Sequence, residues 1–191
     1  LLPSENCSLW NFENNYNDEF NLIKWNTTSN VDFSTINKFG NYSFSSSYNL
    51  SLLSAETIYN SGTSQSAGLW IYVETSYSEF QCNVIDLCIP NERDHITITL
   101  KHYGSGSARI YVILLQGNYH KDYFSDFLDI NEWHYIAFSY NLQTDIFYLV
   151  IDNDIIPINP NGRKWFNEPF KFSTSAYNLN NNYLYIDELV W

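Results

Sequence analysis

Short apolar runs recur from one end of this chain to the other, and each is closed by a cluster of Gly, Asn, Asp, Ser or Pro. "LWNFE", "YSFSS", "NLSLL", "GLWIYVE", "HITITLKH", "ARIYVILL", "WHYIAFSY", "IFYLVID", "PFKFST" and "YLYIDELVW" follow one another in this way. Strands at such regular spacing are the pattern of an all-β sandwich or barrel. Alternating βα units would need long amphipathic helical patterns between the strands, and the chain has none. The aromatic content of 18%, from 16 Tyr, 13 Phe and 6 Trp, agrees with extended structure, since flat rings pack well on a pleated surface.

Alternation is cleanest in "HITITLKH": Ile96, Ile98 and Leu100 share one face, leaving Thr97, Thr99 and Lys101 on a face expected in water. "ARIYVILL" and "IFYLVID" are apolar on both faces and are expected in the middle of a sheet. "GSGS" at 104 to 107, "NLQTD" at 141 to 145 and the acidic "DND" at 152 to 154 read as hairpin connections between antiparallel neighbours. "HKDYFSDFLDINE" stays open, because the spacing of Phe124, Phe127 and Leu128 fits a helical turn while its length suits a loop. No repeat, linker or composition break divides residues 1–191, so one domain is expected, large enough to bury roughly 70% of the unfolded surface.

With 21 acidic and 9 basic residues the formal net charge is −12, which repels nucleic-acid phosphates and anionic membranes. No apolar run approaches the roughly 18 residues of a bilayer span, so membrane insertion is not expected. Cys7, Cys82 and Cys88 are odd in number, and "CNVIDLC" offers Cys82 and Cys88 as the disulfide; three buried thiols acting as small hydrophobes is the competing reading. Asn6, Asn26, Asn41 and Asn49 stand in N-x-S/T sequons, which carry glycans only on a secretory route. The chain starts at Leu1 without Met, a start compatible with export.

Taken in order, "LWNFENNYNDE", "KFGNYSFSSSYNLSL", "AGLWIYVE", "NEWHYIAFSYNLQTDIFYLVIDND" and "YLYIDELVW" resemble the laminin G-like domains of the concanavalin A-like lectin/glucanase superfamily over nearly the whole chain. The resemblance implies a two-sheet antiparallel jelly-roll sandwich in which Trp70 and Trp133 are buried, with Trp133 filling the space between the sheets. Where the family has Asp-Gly in its turn, this chain has Asp152-Asn153, which Asn tolerates by accepting positive φ. It also implies calcium as the accessory cofactor, with Asp18, Glu19, Asp152 and Asp154 as oxygen ligands; their plain alternative is turn-capping.

Catalysis finds little support in the residues. The glucanase pattern Glu-x-Asp-x-x-Glu is absent, and Asp126, Asp129 and Glu132 have the wrong spacing to replace it on one strand. His134 has no Ser or Cys nucleophile in any recognisable motif beside it, so a structural role is expected. Sugar binding asks for aromatic platforms flanked by hydrogen-bonding groups. "NYHKDYF" and "SAYNLNNNY" offer Tyr119, Tyr123, Tyr177 and Asn180. The expected function is a non-catalytic recognition or adhesion module for a glycan or protein surface, extracellular, at a cell surface or on a virion. The alternative is a self-assembling structural component of a surface layer, filament or virion built from the same sandwich.

Overall fold

The computed structural model describes residues 9–10, 25–27, 32–41, 43–46, 51–54, 65–74, 79–88, 95–104, 106–116, 118–141, 143–159, 171–177 and 184–190. Its strands are β1 (Leu9–Trp10), β2 (Trp25–Thr27), β3 (Asp32–Ser34), β4 (Ser43–Ser46), β5 (Ser51–Ser54), β6 (Gln65–Val73), β7 (Glu79–Cys88) and β8 (His95–Tyr103). They continue with β9 (Ser107–Gln116), β10 (Tyr119–Asp129), β11 (Trp133–Asn141), β12 (Ile146–Ile151), β13 (Asp154–Ile158), β14 (Lys171–Tyr177) and β15 (Leu184–Val190). One sheet runs β13-β12-β11-β6-β15-β4-β3, with β1 also paired to β15, and the other runs β10-β9-β8-β7-β14-β5-β2. All pairings are antiparallel. The expected all-β two-sheet sandwich is therefore what the chain forms, and β1 pairs with β15 through Leu9 opposite Val190. Among the described residues no helix is long and apolar enough to cross a membrane.

The core lies between the inner faces of the two sheets. Leu69, Ile71, Ile136, Phe138, Tyr140, Phe147 and Leu149 enter it from the first sheet, and Ile96, Ile98, Leu100, Ile110, Val112 and Leu114 from the second. Each such side chain removed from water contributes about 1.5 to 3 kcal/mol before conformational entropy is set against it. Phe138 and Phe147, diagonal neighbours on β11 and β12, stack with centroids 5.5 Å apart. Two of the hairpins fall where turn chemistry places them: Gly104 and Gly106 take positive φ between β8 and β9, and the Asn141 side chain accepts the Gln143 and Thr144 N–H groups between β11 and β12.

Several expectations are corrected by the side-chain parity. On β11 the fully buried residues are Ile136, Phe138 and Tyr140, so Trp133 and Tyr135 belong to the opposite, outer face. Trp133 is half-buried there against Tyr72 at 5.5 Å and does not fill the space between the sheets. Trp70 is likewise half-buried on the outer face, covered by Tyr135, Phe39 and the Lys38 ammonium. Gly68 makes room for this layer, since a Cβ there would lie 2.2 Å from the Tyr135 hydroxyl and 2.9 Å from the Ala137 Cβ.

On β8 the inward face is as expected, but Thr97 and Thr99 are buried and not in water. Their hydroxyls donate to the side chains of Asp86 at 3.1 Å and Asn83 at 3.0 Å on β7, which satisfies them away from solvent. β9 and β12 are flanked on both sides, each one strand in from an edge rather than central. The Cys82–Cys88 disulfide is excluded: both residues lie on β7, and six residues of extended chain span about 20 Å where a bridge needs Cα atoms within about 7 Å. Cys82 is a free, fully buried thiol opposite Leu100, and burial pushes it up to about 12. Cys7 lies outside the described residues.

The segment left open between helical turn and loop is neither. It is β10, an eleven-residue edge strand paired with β9. Phe124 faces Tyr111 and Phe127 faces Arg109, so three steps on β10 match two on β9 and one extra residue is accommodated as a bulge. That insertion gives Phe124 and Phe127 their helix-like spacing while both remain on one face. Ser125 repairs the ladder from within the bulge: its buried hydroxyl accepts the Ile110 N–H at 2.9 Å, and its carbonyl accepts Arg109 Nε at 2.7 Å.

Candidate functional site

The two sheets end on the same side in β10 and β13, and between these edges lies a cleft of about 480 Å³. Tyr123, Ser125, Asp126, Phe127, Leu128 and Asp129 line it from β10. His134 lines it from the start of β11, Ile151 from the end of β12, and Asp152, Asp154, Ile155 and Ile156 from the hairpin beyond. Its floor is apolar, for Leu128, Ile156 and Tyr123 pack partly buried against the core. Its rim is acidic with two apolar projections, Phe127 at 63% and Ile155 at 67% exposure.

His134 fastens the three walls. Its Nε2 donates to the Asp129 carbonyl at 2.7 Å, and its Nδ1 sits 2.8 Å from Asp152 Oδ2. The other Asp152 oxygen accepts the Tyr135 N–H at 2.8 Å, while the Asp152 N–H donates to the Tyr135 carbonyl at 2.8 Å. Asp152, and not Asn153 as the turn chemistry suggested, holds the positive φ of 53°. The hydrogen bonds to β11 hold it there. A second left-handed residue, Asn131, turns the chain from one sheet to the other and donates its N–H to the Val73 carbonyl at 2.9 Å.

With both ring nitrogens committed, His134 has no lone pair directed at a substrate, so the arrangement holds a shape and does not supply a general base. Acidic residues set aside individually in the sequence line one cleft: Asp126 and Asp129 on its β10 side, Asp152 and Asp154 on its hairpin side. Glu132 is exposed on the turn that follows β10.

Of the four residues read as glycan contacts, Tyr123 lines the cleft. Tyr119 and Tyr177 are the first residue of β10 and the last of β14, on the same sheet but four strand positions apart. Asn180 lies outside the described residues. Of the calcium set, Asp18 and Glu19 lie outside them too, and Asp152 has both oxygens accepting hydrogen bonds from β11. Among the described residues no three His, Cys, Asp or Glu side chains gather to hold a metal ion, so the described part of that set does not fit calcium. Of the sequons, Asn41 is exposed at a bend with the Ser43 hydroxyl buried and donating to the Ile36 carbonyl. Asn26 sits within β2 opposite Leu53, and Asn6 and Asn49 lie outside the described residues.

No protein-family model matches this sequence, and neither does any curated protein. Solved structures do. The chain is similar to the binding domain of botulinum neurotoxin serotype D at TM-score 0.67 and 16% identity, covering 96% of this chain and 46% of that one, so it spans about half the length of that domain. It is similar to the potassium-bound carbohydrate recognition domain of Emp46p at TM-score 0.65 and 13% identity, with 87% and 88% of the two chains covered. It also matches the Bacteroides ovatus mixed linkage glucan GH16 in complex with its product at TM-score 0.61 and 10% identity, over 96% and 99%. At these identities the shared property is the architecture, and the chain has the fold of the concanavalin A-like lectin/glucanase sandwiches.

Proposed function

We propose that this domain is a non-catalytic recognition module of the laminin G-like kind, working outside the cell and taking a glycan into the cleft between β10 and the β12–β13 hairpin. The observation that carries the reading is the lining. A sugar offers apolar C–H faces and a ring of hydroxyl donors, and the cleft sets Tyr123, Phe127 and Ile155 among the carboxylates of Asp126, Asp129, Asp152 and Asp154. Its volume of about 480 Å³ accepts a small oligosaccharide. The likeness to a carbohydrate recognition domain supports the same reading.

Titration with a panel of neutral oligosaccharides, followed by NMR shifts, tests it. Saturable shifts confined to the cleft and weakened by both Phe127→Ala and Asp129→Asn support the assignment. Cleavage of an oligosaccharide, lost on neutralising one cleft carboxylate, would make the domain an enzyme.

A further inference from the structure

The outer face of the β10-β9-β8-β7 end of the sheet carries a second surface of different chemistry. Residues directly opposite in antiparallel strands share a face, so Lys101 on β8, Arg109 on β9 and Phe127 on β10 stand in one row. Tyr111 and Phe124 stand beside them and stack with centroids 4.4 Å apart. The Arg109 guanidinium lies 4.8 Å from the Phe127 ring and 5.5 Å from the Phe124 ring, and Phe127 meets Tyr103 edge-on. Lys101 reaches over Tyr103 at 5.1 Å.

Two cations directly opposite each other are destabilising in a sheet, and a chain with 9 basic against 21 acidic residues has carboxylates to spare for such a pair. None is used. Among the described residues neither Lys101 nor Arg109 forms an ion pair with a carboxylate; of the acidic residues that the register places on this face of β10, Asp122 is engaged by Tyr111 and by His120 at 2.7 Å, and Asp129, opposite Ser107, pairs with neither cation. Arg109 spends Nε on the Ser125 carbonyl, which fixes the plane of its guanidinium and leaves the two terminal amino groups for something else. Phe124 and Phe127, at 45% and 63% exposure, flank that fork with apolar surface open to solvent.

We infer that the Lys101–Arg109–Phe124–Phe127 face is a second binding site, which takes a carboxylate-bearing saccharide residue: the carboxylate on Arg109 and Lys101, the sugar ring on the exposed phenyl rings. The match is one of charge and shape. A guanidinium fork receives a carboxylate through two parallel hydrogen bonds, and aromatic rings receive the C–H face of a pyranose. A saccharide with isolated carboxylates suits a patch holding two cations. A nucleic acid or an anionic membrane would extend its charge past the patch and meet the field of a protein at −12. The inference goes beyond the cleft and does not depend on it, although Phe127 borders both surfaces.

The test is a calorimetric titration of the intact protein with short oligomers of galacturonate, of glucuronate and of neuraminate, each beside its methyl ester. At least one acid oligomer binds, its ester binds at least about tenfold more weakly, and Arg109→Gln and Lys101→Gln each weaken the acid form by about tenfold. Lys101→Gln guards against a folding artefact, because the Lys101 side chain makes no hydrogen bond among the described residues. The inference is overturned if no acid oligomer binds, if ester and acid bind alike, if Lys101→Gln is silent, or if phosphatidylserine vesicles bind in preference to every saccharide.

Discussion

His134 Nδ1 lies 2.8 Å from Asp152 Oδ2, joining the start of β11 to a residue eighteen positions later in the chain. Asp152 spends its second oxygen on the Tyr135 N–H, and His134 spends its second nitrogen on the Asp129 carbonyl. Removing either partner strands the other, so His134→Ala and Asp152→Ala are each expected to destabilise the domain by about 1 to 3 kcal/mol. The double variant costs clearly less than the sum, and denaturant unfolding of the four proteins measures the coupling. Additive losses would show that the contact contributes nothing.

Burial separates the aromatic residues of β11 and β12 more sharply than their size. Phe147, fully buried and stacked on Phe138, is expected to cost about 3 to 5 kcal/mol on truncation to Ala. Trp133→Ala, on the outer face beside Tyr72, is expected to cost well under half as much despite removing a larger ring. Comparison of denaturation midpoints decides it, and equal shifts would return Trp133 to the core.

Ser125→Ala leaves the buried Ile110 N–H with no acceptor inside the bulge. A loss of about 1 to 3 kcal/mol follows from an unpaired buried donor, far above the cost of an exposed Ser→Ala change. Amide exchange at Ile110 should quicken in the variant more than at Val112, two residues along the same strand.

The Cys82 thiol, pushed up by burial to about 12 from an ordinary value near 9, binds its proton more tightly folded than unfolded. Between those values the unfolded chain releases the proton first, so this residue's contribution is complete below about pH 9 and declines as pH rises toward 12. Peptide mapping after iodoacetamide treatment at pH 8 should find Cys82 unmodified in the native protein and labelled in denaturant. Rapid native labelling would contradict the burial.

Local chemistry was readable in the sequence and long-range pairing was not. The inward face of "HITITLKH" follows from alternation alone, and the Gly104–Ser107 and Asn141–Asp145 turns follow from residues that favour them. In "WHYIAFSY" both parities are apolar, so alternation offers no way to choose a face, and the family likeness pointed Trp133 inward when its partner on β6 is the outward Tyr72. In β10 one bulged residue replaced a period of two with a spacing of three, which imitates a helix. Tyr123 was found because it stands beside polar neighbours. Asp126 and Asp129 could not be placed with Asp152 and Asp154, because their meeting depends on two sheet edges closing on the same side.

The bulge in β10 also bears on what this sandwich refuses to do. A straight edge of eleven residues is an invitation to another copy's strand, and fibre growth through such edges is the standing hazard of all-β proteins. The extra residue at Ser125 bends the template, while across the cleft β13 carries Pro157, which has no N–H to lend. Among the described residues the opposite ends of both sheets, β2 and β3, present three residues each. At the β10 and β13 edges, copies of this domain that come together are therefore expected to meet through their faces, where side chains decide the partner, and not by prolonging one another's sheets.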